Sequence, residues 1–89
     1  MAYRIEVTPD ARAELRALPE RIRRQIARKI ESLADNPRPP QSKKLHDADS
    51  IYRLRSGDYR ILYQIKDRLL IVLVLHAGHR REIYRKNRK

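Results

Sequence analysis

Leu69-Leu70-Ile71-Val72-Leu73-Val74-Leu75 limits the fold of this chain more than any other stretch. A half-buried strand alternates polar and apolar residues. This run is apolar at odd and even positions alike, so it needs cover on both faces of a sheet. It is far shorter than the roughly 20 residues that cross a bilayer as a helix. Two further strand-like runs precede it, Ile51 to Arg55 and Tyr59 to Lys66. Ser56-Gly57-Asp58 and Lys66-Asp67-Arg68 supply turn residues at the two joints. The expectation is an antiparallel meander whose last run, Leu69 to His76, is the central strand.

The first part of the chain reads as one strand and two helices. Tyr3 to Val7 alternates in character and ends β-branched. Thr8-Pro9-Asp10 then signals a helix start, with Thr8 as N-cap, Pro9 in the first turn and an acid near the positive end of the helix. Ala11, Leu15 and Leu18 share a face. Pro19 breaks that helix and opens a second, in which Ile22, Ile26, Ile30 and Leu33 recur at helical spacing. Asn36-Pro37-Arg38-Pro39-Pro40 stops it. A polar connector through about Ser50 is expected, with Leu45 as its only apolar anchor. The fold class is therefore α+β, in the order β-α-α-β-β-β: a two-helix hairpin packed on one face of a small, mainly antiparallel sheet, followed by a basic C-terminal segment. Residues 1–89 are one domain.

Charge points to the kind of partner. Residues 1–50 hold 11 Lys/Arg and 8 Asp/Glu, a net of +3, and residues 51–89 hold 11 and 3, a net of +8, which together give +11. A positive field concentrated in the second part fits a polyanion. Arg outnumbers Lys by 16 to 6, a bias suited to bidentate phosphate recognition. The chain has no Cys, which removes thiol catalysis and Cys-based zinc sites and fits a reducing compartment. The first residues lack the apolar core of a signal peptide. The expectation is a cytoplasmic protein with no membrane partner.

Strand parity sorts the cations. Tyr52 and Leu54, with Tyr59, Ile61, Tyr63 and Ile65, should meet the helices. Arg53, Arg55 and Arg60 then project together from the uncovered face, and like charges on neighbouring strands repel unless an anion joins them. A second concentration closes the chain: His79-Arg80-Arg81-Glu82-Ile83-Tyr84-Arg85-Lys86-Asn87-Arg88-Lys89. Ile83 and Tyr84 are poor choices for a purely solvated tail. With only Gly57 and Gly78 there is no phosphate-cradling glycine loop, and the acids after residue 50 (Asp58, Asp67, Glu82) are too scattered for a two-metal nuclease. Any RNA cleavage is expected to need no metal and no other cofactor.

These residues resemble the RelE/ParE toxin superfamily over nearly the whole chain. The resemblance rests on the opening Tyr-Arg-Ile strand, the helical hairpin ending in Asn-Pro, Lys44-Leu45, the block Tyr52-Arg53-Leu54-Arg55-Ser56-Gly57-Asp58-Tyr59-Arg60-Ile61-Leu62-Tyr63, and the closing Gly78-His79-Arg80-Arg81-Glu82-Ile83-Tyr84. It implies a type II toxin that cleaves mRNA in the ribosomal A site and is neutralised by a cognate antitoxin. The implied chemistry is metal-free attack of a ribose 2′-OH on the adjacent phosphate. The family's functional arginines fall on Arg60 and Arg80 and its tyrosine on Tyr84. Its lysine on the preceding strand falls on Arg53, and a second basic position on Ile51. Arg53 is a poor general base, because a guanidinium keeps its proton near neutral pH. His79 is the natural proton acceptor, with Arg53 as an electrostatic clamp. Arg55, Arg81, Arg85 and Lys86 are the remaining RNA contacts. Two other readings stay open on the same fold: a ParE-like inhibitor of DNA gyrase, and a basic binding module without activity.

Overall fold

Thr8 starts the first helix as its position predicts. Its Oγ1 accepts from the Ala11 amide at 3.1 Å while Pro9 occupies the first turn. The computed structural model describes residues 2–46 and 50–79. Its elements are β1 (Arg4–Val7), α1 (Pro9–Arg16), α2 (Glu20–Ser32), β2 (Lys43–His46), β3 (Ile51–Ser56), β4 (Tyr59–Lys66) and β5 (Ile71–His79), with a 3-10 turn at Asp67–Leu69. The sheet order is β1-β5-β4-β3-β2; β1 runs parallel to β5 and the other neighbours are antiparallel. The apolar run thus lies inside the sheet, flanked by β1 and β4.

The structure has one strand more than the sequence suggests. Lys43–His46 was expected as connector, yet it pairs with β3 through Lys43↔Arg53 and Lys44↔Tyr52. Nothing in Lys-Lys-Leu-His favours a strand by propensity. The β3 edge supplies the hydrogen bonds, and a short, lysine-bearing strand is how sheets commonly end.

Both helices cover one face of the sheet. Ala11, Ile26, Ile30 and Leu33 pack with Tyr52, Leu54, Ile61, Tyr63, Ile65, Val72, Val74 and Ala77 in a single core. Tyr63 is fully buried, and its hydroxyl donates to the Pro37 carbonyl at 2.8 Å, which pins the proline connector to the sheet. Burial pushes its pKa up to about 12. The Tyr52 and Tyr63 rings stack with centroids 5.8 Å apart.

β5 does not keep a strict two-residue period. Leu62 pairs with His76 and Tyr63 with Val74, so Leu75 is an extra residue, a β-bulge. β1 stops at Val7, opposite Val74. Beyond it α1 takes over the edge of β5. Thr8 Oγ1 donates to the Leu75 carbonyl at 3.0 Å, and a Glu14 carboxylate oxygen accepts from the Ala77 amide at 3.0 Å.

β3 and β4 are joined through Gly57 and Asp58, with Ser56 paired to Tyr59. Gly57 has φ +62°, and a Cβ there would meet nothing within 4 Å. Its requirement is therefore conformational rather than steric. Gly57→Ala is expected to destabilise the protein by about 1–2 kcal/mol, the cost of a left-handed backbone carrying a side chain. Chemical denaturation checks this, and an unchanged midpoint would show that the turn relaxes.

Candidate active site

Register brings the expected arginines together. Arg55 pairs with Arg60 and Arg53 with Leu62 across β3 and β4, and Lys43 of β2 pairs with Arg53. Directly paired residues in antiparallel strands share a face, with Cα atoms about 4.5–5.5 Å apart. Lys43, Arg53, Arg55 and Arg60 therefore lie on the face opposite the core set of Tyr52, Leu54, Ile61 and Tyr63. Lys43 was not among the candidates read from the sequence, because its strand was not recognised. The only signal for it was its place in a Lys-Lys pair two residues before His at the foot of the first meander strand.

The face is not bare, as parity alone had suggested. Arg60 is 6% exposed and Leu62 is 2% exposed, and Arg60 is the one buried charged residue among the described residues. Across β5 its partner is Gly78, which has no side chain to compete for the same space. Burial of this kind fixes the guanidinium before any ligand arrives. Arg53 is half-buried and Arg55 exposed, so the cations grade from held to free along the hairpin.

His79 ends β5 opposite Tyr59, and the two rings meet edge to face with centroids 5.7 Å apart. Tyr59 packs against the core. The His79 ring is thus on the helix side of the sheet, one residue from the Gly78 position beside Arg60. The bulge at Leu75 causes this, since it shifts the parity of every later residue of β5. Arg80, Arg81, Tyr84, Arg85 and Lys86 lie outside the described residues.

The other histidine of β5 belongs to the scaffold. His76 Nδ1 is 3.3 Å from the Glu14 carboxylate that caps Ala77. Among the described residues no three His, Cys, Asp or Glu side chains gather in a way that could hold a metal.

A polar clasp holds the segment that carries Lys43. Arg38 grips Asp67 through both terminal nitrogens, at 2.8 and 3.3 Å, and its Nε donates to the Tyr52 hydroxyl at 3.0 Å. The Tyr3 hydroxyl donates to Asp67 at 2.7 Å, while Arg38 and Lys44 lie over the Tyr52 ring at 5.4 and 6.0 Å. The Arg38 guanidinium, and after it the Tyr3 hydroxyl, hold the Asp67 carboxyl below its ordinary value, and the bond to Asp67 raises the Tyr3 phenol.

The sequence matches the family described as ParE toxin of type II toxin-antitoxin system, parDE, over residues 5–84. It is 33% identical over 88 residues to the mRNA interferase toxin RelE of Escherichia coli K12, covering 94% of this chain and 92% of that protein. It is 36% identical over 90 residues to Toxin RelG of Mycobacterium tuberculosis, covering 97% and 100%. This chain belongs to the RelE/ParE toxin superfamily. The fold agrees: the toxin–antitoxin complex RelBE2 from M. tuberculosis contains a chain with TM-score 0.78 at 30% identity, with 90% of this chain and all of that one aligned. RelE/ParE membership accounts for the helical hairpin and the meander.

A carboxylate held down by its partners stabilises the fold above its unfolded pKa of about 3.9, and that contribution is lost as pH falls through the lower folded value. Asp67 and Arg38 are half exposed, so solvent screens the effect. Between about pH 5 and 3 the natural chain should lose denaturant resistance more steeply than Asp67→Asn. Parallel slopes for the two proteins would show that the clasp does not contribute.

Proposed function

We propose that this chain is the toxin of a type II toxin–antitoxin pair and acts as a ribosome-dependent, metal-independent mRNA interferase. The observation that carries the reading is the register-set convergence of Lys43, Arg53, Arg55 and Arg60 on one face of a RelE-type fold. In the proposed reaction a ribose 2′-oxygen attacks the adjacent phosphorus, the P–O5′ bond breaks, and a 2′,3′-cyclic phosphate and a 5′-hydroxyl result. Buried Arg60 stabilises the charge that develops on the phosphoryl oxygens, because a preorganised cation loses nothing to reorganisation. Arg80 supplies a second such charge, and Arg53 and Lys43 clamp the neighbouring phosphate. Tyr84 stacks on or hydrogen-bonds the substrate nucleotide. His79 accepts the 2′-OH proton, which requires the RNA to reach round the end of β5 to the Tyr59 side. Arg55, Arg81, Arg85 and Lys86 hold flanking phosphates.

The RelE of E. coli K12 is an mRNA interferase toxin, and the M. tuberculosis structure is that of a toxin–antitoxin complex. An acidic antitoxin segment that covers the Arg53, Arg55, Arg60 and Arg80 surface, or displaces the segment bearing Tyr84, would neutralise this chain in the cytoplasm. The family description names ParE instead, and gyrase is the alternative target on the same fold.

Translation and supercoiling assays on the same purified protein separate the two targets. Cleavage should appear only with ribosomes and should persist when added metal beyond the ribosome's own need is removed. Arg60→Ala should slow cleavage by on the order of 10²-fold or more. Lys43→Gln should slow it on the order of 10-fold, whereas Lys44→Gln, on the other face of β2, should change it little; equal effects would remove Lys43 from the substrate. Inhibited supercoiling with untouched translation would move the assignment to gyrase.

His79→Ala should slow ribosome-dependent cleavage by on the order of 10²-fold or more, the usual scale for losing a general base. An unchanged rate in the variant would assign the proton transfer elsewhere.

A further inference from the structure

A second cationic surface meets these residues only at Arg55, where α2 approaches the tip of the β3–β4 hairpin. Two adjoining clefts, of about 560 and 530 Å³, share Gln25 and Arg28. One runs along α2 past Arg21 and Arg24; the other continues past Lys29 to Arg55, Ser56 and Gly57. Residues 21, 24, 25 and 28 follow helical i, i+3, i+4, i+7 spacing, so they form one exposed stripe. Together the clefts hold five cations (Arg21, Arg24, Arg28, Lys29, Arg55) and one acid (Glu20), a net of +4. Glu20 is already engaged by Arg24 at 2.5 Å. Arg21, Arg28, Lys29 and Arg55 have no ion-pair partner among the described residues.

We propose that this groove binds the phosphodiester backbone of structured RNA, as a docking track separate from the cleavage site. Three observations select that ligand. First, five cations gathered along one helix stripe and the neighbouring hairpin tip concentrate potential and repel one another until an anion enters. Second, among the described residues no aliphatic or aromatic side chain lines either cleft. An amphipathic helix of a protein partner would find no aliphatic or aromatic side chain there to pack on, only the stems of polar residues, whereas a phosphate chain needs nothing apolar. Third, Arg55 belongs to both surfaces: it lines the groove and pairs in register with Arg60. The hairpin tip thus joins the two, and the open space above Gly57 leaves a backbone room to cross it. The identity of that RNA as ribosomal rests on the reading given under Proposed function, but the phosphate chemistry of the groove does not.

The test uses the full chain with Arg21, Arg28 and Lys29 all changed to Gln, and a control with Arg12→Gln and Arg16→Gln on α1, outside the groove. Affinity for deproteinised small-subunit ribosomal RNA is measured against salt. Each phosphate contact contributes about 0.7–0.9 to the slope of log affinity on log salt. The triple variant should lose about 2 from that slope, and the control should keep it. In ribosome-dependent cleavage the triple variant should show a raised KM and an unchanged kcat. An unaltered salt slope, or an equal loss in the control, overturns the groove as a track. Loss of affinity for an acidic antitoxin segment with RNA binding intact also overturns it, in favour of a protein partner. A natural chain that binds the RNA through the groove but never cleaves mRNA on ribosomes would sink the interferase reading and leave the groove standing.

Discussion

The bulge at Leu75, and the way α1 caps it, sets the rest of the molecule. Thr8 serves two elements with one side chain. Its oxygen closes the first turn of α1, and its hydroxyl proton goes to the carbonyl of the extra residue in β5. Glu14, two turns on, takes the Ala77 amide that β1 is too short to reach. Buried backbone donors left unpaired cost about 1–3 kcal/mol each. Helix position and strand shape are therefore fixed by the same few bonds. Because the bulge resets parity, it is also why Gly78 rather than a larger residue lies beside Arg60, and why His79 turns toward Tyr59.

Around that frame the chain divides its work between two faces. Helices and tyrosines close one side, and cations gather on the other and at the hairpin tip. Concentrating like charge on a small sheet opposes folding. One feature offsets it here. The Arg38–Asp67 clasp binds the proline connector, with β2 behind it, to the tyrosine stack. Specificity for a phosphate follows from stiffness as much as from charge, since a guanidinium already in place needs no reordering when the ligand arrives.

Much of this was legible in the sequence, for identifiable reasons. Seven consecutive apolar residues forced an interior strand, Thr8-Pro9 a helix start, and Gly57 a tight turn. Strict alternation over Tyr52 to Ile65 sorted Arg53, Arg55 and Arg60 onto one face, as the register confirms. The bulge was hidden for the same reason that β5 was obvious: where Leu73, Val74 and Leu75 are all apolar, no pattern marks the extra residue. β2 was hidden because its pairing comes from β3 and not from its own side chains, and Lys43 went unseen with it. The burial of Arg60 and the groove beside α2 depend on how elements meet in space, which periodicity does not encode.

The strand order carries a kinetic consequence. Arg4 pairs with Ile71, a separation of 71 − 4 = 67 residues. At translation rates of about 5–20 residues per second, β1 waits several seconds for the strand it must join. The helices and the β3–β4 hairpin are local and can form as they emerge, but closing the sheet is a high-contact-order step. Gly78 comes beside Arg60 only when β5, the last strand of the described residues, has been made and pairs with β4. The setting that buries Arg60 is thus among the last parts of the described fold to be completed, well after the helices that cover the other face.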